Sequence, residues 1–577
     1  MVGASRSSGQ VPPDAVALFA HAGHCERNQQ PDEAGALYRA VMGISPDLPE
    51  AYNNFGILLY RRGWLDLASA YLLRALILRP ATAETWNNLG LVLRDRARID
   101  EAEICFRWAL VSQPALSAAY NNLGEIFLFG GQQELAVRCY DRALLIDPMC
   151  RSALGNRVFA WLYRSPALSP LFAEARRWSE THAEALPRQD HPVVAIRQEP
   201  RLGFVSGDFR GHAVGFLTLP AIERLSQSGY SITCYSNGGR EDELTARFRR
   251  AATDWRLIAG LTDEAVSRQI VADGIDILFD LSGLTAQGRP LAFARKPAPV
   301  QIAWVGYPAT TGMPTMDYIL ADHHQVPAGA EKQYSERVIR LPDSYVTFAP
   351  PPDSPPLADL PALRNGFVTF GSFNGLKKIS PQVVAVWSRI VAHVPDARLL
   401  IKAPALEGAG VRRRYRDLFA AFGVESSRLT FLGATSPRLH RSSMAEVDIA
   451  LDSFPYSGGQ TTLEVLWMGL PVITCPGETF ASRHSLGYLS TLGLGELIAT
   501  DINHYVALAV ELASSLPRLV ALRTTMRRRM LVSPLCDADG FTRDLKTALS
   551  AVWRRHCQGL PPATVDVRSD GSNAFAG

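Results

Sequence analysis

Lysine is scarce in this chain. Six lysines (Lys296, Lys332, Lys377, Lys378, Lys402 and Lys546) stand against 53 arginines in 577 residues. Against that background the adjacent pair Lys377–Lys378 is conspicuous. An excess of charge of either sign is also missing. The net charge of +3 makes no electrostatic case for nucleic acid or an anionic membrane surface. No apolar run reaches the roughly 18 residues that a spanning helix requires. Met1–Gln10 is short and polar and lacks the apolar core of a secretory signal. The eight cysteines are scattered, with no Cys-x-x-Cys and no Cys/His cluster, so neither a disulfide framework nor a zinc motif is expected. A phosphate loop of the Gly-x-x-x-x-Gly-Lys type is absent, which excludes the P-loop enzymes. No Gly-x-Gly-x-x-Gly follows the first predicted strand. These absences leave a cytoplasmic protein, too long for one hydrophobic core.

What is present is a repeat of 34 residues. Tyr52, Trp86 and Tyr120 are equivalent, as are the pairs Asn53–Asn54, Asn87–Asn88 and Asn121–Asn122. Gly56, Gly90 and Gly124 follow, then Ala34, Ala68, Ala102 and Ala136, and finally Pro46, Pro80, Pro114 and Pro148. This period and pattern are the tetratricopeptide signature, two helices per unit. Four units cover 15–48, 49–82, 83–116 and 117–150. A degenerate fifth continues to about residue 184, with Gly155–Asn156 in the Asn-pair position. Proline closes each unit because it cannot continue a helix. One amide of each pair serves the packing between helices. The other (Asn53, Asn87 or Asn121) is a candidate to hold an extended peptide by its main chain, since an amide both donates and accepts.

From Pro200 short apolar runs alternate with helical stretches. Arg201–Ser206, Ser231–Tyr235, Asp276–Leu281, Gln301–Gly306 and Asp317–Ala321 read as buried parallel strands. A Pro-rich stretch follows, and then a second set: Phe367–Phe370, Arg398–Lys402, Thr430–Leu432, Val447–Leu451 and Pro471–Thr474. The expected organisation is a disordered N-terminus (1–14), an α-solenoid (15–184), and two doubly wound Rossmann-like α/β lobes (185–350 and 367–559). A linker (351–366) joins the lobes, and a disordered tail ends the chain (560–577). A ligand would sit between the lobes, beyond the carboxyl ends of the strands.

The strongest chemical segment is Leu451-Asp-Ser-Phe-Pro-Tyr-Ser-Gly-Gly-Gln-Thr-Thr-Leu-Glu464. A strand runs into a Gly turn and a helix opens at Gln460–Thr462. Free N–H groups and hydroxyls at such a start fit a pyrophosphate, and Glu464, one turn on, could accept from ribose hydroxyls.

At these residues the chain resembles the nucleocytoplasmic O-GlcNAc transferases and their plant relatives of the SPINDLY type. The resemblance rests on Gly203-Phe-Val-Ser-Gly-Asp-Phe-Arg-Gly-His212, Pro297-Ala-Pro-Val-Gln-Ile-Ala-Trp-Val-Gly-Tyr-Pro308, Phe370-Gly-Ser-Phe-Asn-Gly-Leu-Lys-Lys-Ile379 and Pro476-Gly-Glu-Thr-Phe-Ala-Ser-Arg483. It implies a solenoid followed by a GT-B fold, and an inverting glycosyltransferase that needs no metal and no other cofactor. It also implies roles. His212 and Asp208 match the family's active-site His and nearby Asp. Lys378 matches the Lys that contacts the diphosphate, and His440 the His that packs on the base. Gln460, Thr461 and Thr462 fall in the phosphate turn, Glu464 replaces an Asp that holds the ribose, and Gly306 and Pro308 line the sugar pocket. The expected reaction transfers GlcNAc from UDP-GlcNAc to Ser/Thr hydroxyls of a protein held by the repeats, releasing UDP. Homodimers joined through the repeats occur in the family.

The chain departs from the animal pattern in three places. The long insert between the lobes is absent, Gly375 stands where a Gln is found, and Pro437 where a Lys is found. The segment Ala362–Asn374 and the Phe454-Pro-Tyr456 turn are closer to the SPINDLY type, which uses GDP-fucose. Two alternatives therefore accompany the expectation: a GDP-fucose donor, or a repeat scaffold without catalysis.

Overall fold

The computed structural model describes residues 11–28, 30–164, 167–191, 199–285 and 287–575. Ten helices pair in succession: α1 (Pro13–Arg27) with α2 (Pro31–Ile44), α3 (Pro49–Arg61) with α4 (Leu65–Leu78), α5 (Ala83–Asp95) with α6 (Ile99–Ser112), α7 (Ser117–Phe129) with α8 (Gln133–Ile146), and α9 (Arg151–Trp161) with α10 (Leu168–His182). Proline starts α1, α2 and α3, where its missing N–H is no loss. The repeating glycines allow close approach. A Cβ on Gly90 would lie 2.5 Å from the Phe106 ring, and one on Gly124 would lie 2.5 Å from Tyr140.

Fourteen strands follow. The first seven are β1 (Leu202–Ser206), β2 (Ile232–Ser236), β3 (Asp254–Leu257), β4 (Ile277–Asp280), β5 (Val300–Ala303), β6 (Tyr318–Asp322) and β7 (Arg337–Leu341). The next five are β8 (Thr369–Ser372), β9 (Arg398–Lys402), β10 (Leu429–Leu432), β11 (Ile449–Leu451) and β12 (Val472–Ile473), and the last two are β13 (Val565–Val567) and β14 (Asn573–Phe575). They form a nine-stranded sheet in the order β14-β13-β7-β6-β5-β4-β1-β2-β3 and a five-stranded sheet in the order β10-β9-β8-β11-β12. Pairing is parallel except between β13 and β14. In the larger sheet Phe204 stands opposite Cys234 on one side and Phe279 on the other. Helices cover both faces, which is why β1, β2 and β4 are buried along their whole length. Strand order reverses at β1/β4 and at β8/β11, and both reversals open toward the same space between the lobes.

Two expectations need correcting. The tail from Leu560 is not disordered as expected: β13 pairs in parallel with β7, setting Val565 opposite Ile339. Val565 and Val567 are buried, and Asp566 lies 3.1 Å from the buried Arg340 guanidinium. Two valines and a charge partner suffice to hold it. The helix Ala538–Cys557, assigned to the second lobe, packs on the first, with Phe541 stacked 6.1 Å from Trp304 and Asp539 2.6 Å from Arg224. At the other end, Met1–Gln10 lie outside the described residues and α1 begins at Pro13, inside the stretch expected to be disordered. No single described helix is long and apolar enough to cross a membrane.

Candidate active site

The space between the lobes is a cleft of about 580 Å³. The first lobe supplies Asp208, Arg210 and His212 after β1, Leu281 and Ser282 after β4, and Val305 and Gly306 after β5. The second supplies Asn374, Gly375 and Lys378 after β8, and Tyr456 and Gly459–Thr461 after β11. A third wall, Phe159 and Tyr163, comes from the solenoid.

On the first-lobe side the loop after β1 is tied down before it reaches the cleft. The Asp208 N–H donates to Ser206 Oγ (2.9 Å), and Asp208 also pairs with Arg210 (2.9 Å). His212 caps the helix Ala213–Gln227: its Nδ1 accepts from the Val214 N–H at 3.3 Å and lies 3.5 Å from Asp208 Oδ2. Burial lowers the His212 pKa, Asp208 opposes the shift, and Arg210 and Lys377 add to it. Val305 is held at φ +67°, a strained setting for a β-branched residue. Beside it, a Cβ on Gly306 would sit 1.9 Å from the Leu281 carbonyl oxygen, so only glycine fits there.

On the other side Lys378 Nζ donates to the Ser457 carbonyl (2.7 Å) and lies 4.0 Å from the centre of the Tyr456 ring. Burial brings its pKa down to about 7; Asp452 opposes that shift and Lys377 adds to it. Asp452 itself is buried and organises the phosphate turn. It accepts from the N–H groups of Ser453 (2.9 Å) and Gly458 (2.8 Å) and from the Thr474 hydroxyl (2.8 Å). That fixes the chain ahead of the helix Gln460–Trp467, whose start, Gly459–Thr461, lines the cleft. Asn374 Oδ1 and Gln460 Oε1 are buried with no hydrogen-bond partner, so the cleft offers two acceptors that ligand hydroxyls would satisfy.

The expected site residues do not all converge. His212, Asp208, Lys378, Gly306, Gln460 and Thr461 line the one cleft. Thr462 is buried behind the turn with its hydroxyl 2.9 Å from Ser485 Oγ, a packing position rather than a lining one. Glu464 accepts from Gln460 Nε2 (3.3 Å), and burial raises its pKa. His440 lies beyond the phosphate turn, edge-on to Phe373 at 5.8 Å, with its pKa brought down to about 4 by burial, Lys402 and Arg441. Pro308 is buried away from the cleft, facing Phe172 and Tyr334.

The asparagines form a ladder between repeats. Asn53 accepts from Asn88 (3.0 Å), Asn87 from Asn122 (2.8 Å) and Asn121 from Asn156 (3.0 Å). Asn87 and Asn121 are buried and Asn53 is half-buried. The oxygen of each of the three is thus engaged by the following unit.

Sequence reading missed Tyr163, Phe159, Tyr345 and His484. Tyr163 stacks on Tyr456 at 4.8 Å with the rings 11° apart, and the Lys377 ammonium lies between Phe159 and Tyr163, 5.5 and 5.4 Å from their centres. His484 is 4% exposed, and its Nδ1 lies 2.9 Å from the Tyr345 hydroxyl. Burial pushes its pKa down to about 3, with Lys378 adding to the shift, so the ring is neutral. His484 directly follows the Pro476–Arg483 block, which was its one sequence signal.

Comparison with known proteins gives this geometry a family. The sequence model described as Glycosyl transferase family 41 matches residues 182–348 and 359–545, and a tetratricopeptide repeat model matches 117–149. The chain is 36% identical over 422 residues to a protein of Oryza sativa subsp. japonica named probable UDP-N-acetylglucosamine–peptide N-acetylglucosaminyltransferase SPINDLY, covering 72% of this chain and 45% of that protein. It is 30% identical over 397 residues to the Arabidopsis thaliana protein of the same description named SEC, covering 65% of this chain and 40% of that one. The chain thus spans less than half the length of these curated relatives. A solved Lys-to-Met mutant of the Thermobaculum terrenum O-GlcNAc transferase superposes with a TM-score of 0.78 at 32% identity, over 96% of this chain and all of that one.

Proposed function

The chain belongs to glycosyl transferase family 41, and from that premise we propose that it is an inverting protein O-glycosyltransferase that moves GlcNAc from UDP-GlcNAc to Ser or Thr hydroxyls without a metal. One observation carries the reading. Lys378 and the helix start at Gly459–Thr461 lie with His212 and Gly306 around a single cleft between the lobes, which supports a nucleotide sugar as its ligand.

The acceptor oxygen attacks the anomeric carbon, a glycosidic C–O bond forms, and the bond to the β-phosphate oxygen breaks. The electron pair leaves on the diphosphate. The Lys378 ammonium and the N–H groups at the helix start meet that charge. His212 has two roles according to tautomer. With Nδ1 accepting from Val214, the neutral ring carries its proton on Nε2 and donates toward the sugar. With Nδ1–H turned to Asp208, Nε2 is free to take the hydroxyl proton. Glu464 and His440 are assigned to the nucleoside. The acceptor chain is assigned to the repeats.

A second reading, GDP-fucose as donor, is favoured by the Phe454–Tyr456 turn, whose Tyr456 ring lies against Lys378. Calorimetric titration with UDP, UDP-GlcNAc, GDP and GDP-fucose separates the two. UDP preference supports GlcNAc transfer, GDP preference supports fucose transfer, and binding of neither supports a scaffold. Lys378→Ala, folded by circular dichroism, is expected to lower kcat by about a hundredfold or more, the scale of losing one group that stabilises developing charge. Full transfer by that variant would end the proposal.

A further inference from the structure

The first repeat differs from the others at two places that the 34-residue register makes comparable. The positions of His21 and Cys25 are held in the next three units by Phe55 and Leu59, Leu89 and Leu93, and Leu123 and Phe127. All six of those residues are buried core, 2–6% exposed. In the first unit alone both are replaced by side chains that ligate metals, one helical turn apart on the same face of α1. On this face His21 is exposed and Cys25 is buried, and exposure alone would be met by any polar residue. What the structure adds is convergence. Glu33, in the first turn of α2, turns toward them, and the His21 nitrogen, the Cys25 sulfur and a Glu33 oxygen lie within 4.8 Å of one another. Glu101 holds the place of Glu33 in the third unit, where Leu89 and Leu93 stand at the positions of His21 and Cys25.

We propose that His21, Cys25 and Glu33 bind a zinc ion that pins α1 to α2, the first two described helices of the solenoid, apart from the transfer cleft. One nitrogen, one sulfur and one oxygen donor suit a borderline-soft divalent cation, and a water completes four-coordination. Bonds of about 2.0–2.3 Å require donor atoms about 3.3–3.8 Å apart, which a small rotation of the exposed His21 and Glu33 side chains supplies. The Cys25 thiol loses its proton to solvent as the Zn–S bond forms. Because the metal displaces that proton, binding tightens as pH rises. The gain is stability: an ion bound only by the folded α1–α2 hairpin stabilises it by mass action.

The test uses the full chain, freed of metal and reduced, titrated with Co²⁺ as an optical probe and then with Zn²⁺ as competitor. The expected result is one Co²⁺ per chain, with tetrahedral d–d bands and a thiolate charge-transfer band, both erased by one equivalent of Zn²⁺. Cys25→Ser should abolish the charge-transfer band. His21→Phe, which restores the residue of the second unit and so keeps the fold, should weaken binding by about tenfold or more. Zn²⁺ should raise the Tm of the wild type and leave that of both variants unmoved. Absence of a 1:1 tetrahedral complex, or the same spectrum and affinity in Cys25→Ser, would overturn the proposal, because the metal would then sit on other thiols or on none. Nucleotide plays no part in the assay, so its outcome is independent of the donor assignment.

Discussion

Burial holds Lys378 down to about pH 7, although Asp452 pulls the other way. On the proposed reading a diphosphate in the cleft requires the ammonium, so at alkaline pH the protein takes up a proton as nucleotide binds. The sign follows. Below pH 7 the lysine is already charged and affinity is flat. Above pH 7 affinity for UDP falls, approaching about tenfold per unit, because one proton is linked to binding. Calorimetry in buffers of different ionisation enthalpy should count close to one proton taken up at pH 8. Lys378→Met should bind more weakly at every pH and lose the uptake. Uptake unchanged in that variant would assign the proton elsewhere, the adjacent Lys377, whose pKa burial also lowers, being the nearest titrating alternative. Lys378 was legible in the sequence because lysine is rare in the chain and because its neighbours match a family block. Its partner Asp452 was not singled out: a buried carboxylate that accepts from backbone N–H groups, a hydroxyl and the Asn374 amide resembles any other Asp until the turn is seen closed around it.

At the scale of elements, the Asn pairs tie one repeat to the next. Asn87 and Asn122 are both buried and share a 2.8 Å bond. Removing one partner leaves the other unsatisfied, at a cost of about 1–3 kcal/mol. Asn87→Ala should therefore speed amide exchange in α5–α8 by roughly five- to a hundredfold, with UDP affinity unchanged because the cleft is distant. Slow exchange in that variant would mean the ladder is incidental to stability. The repeats themselves were legible because their period is long and each unit carries its own aromatic, Gly and Pro. The central strands were legible because parallel strands buried on both faces read as apolar runs. The edges were not. β3 is Asp254-Trp-Arg-Leu257, half-exposed, with the charges that protect an open edge. β7 hides its Arg340 in ion pairs with Glu331 and Asp566, and β13 offers two valines where a run of apolar residues was sought. Of these, β13 depends on β7, a partner far back along the chain, which local pattern does not contain.

For the whole molecule, the solenoid also packs against the two lobes. Gln133 Nε2 donates to the Lys377 carbonyl (2.8 Å), Arg414 reaches the Gly130 carbonyl, and Tyr163 of the fifth unit stacks on Tyr456 inside the cleft. Tyr456 in turn lies against Lys378. A repeat residue thus supports the ring that supports the cation, and binding of nucleotide should sense the repeats. Tyr163→Ala removes the stack, worth about 0.5–1.5 kcal/mol beyond the area it buries, so UDP affinity should fall by about threefold to tenfold. Trp86→Ala is the matching control: it removes a stacked pair of similar size, Trp86 on Trp108 at 6.1 Å, on a part of the solenoid remote from the cleft. Its UDP affinity should match the wild type. If both variants bind UDP equally well, the repeats only carry the acceptor and the third wall is inert. If Tyr163→Ala alone weakens binding, a force that bends the fifth unit against the lobes will also alter the grip on the donor. Acceptor and donor sites would then be coupled through one pair of tyrosines.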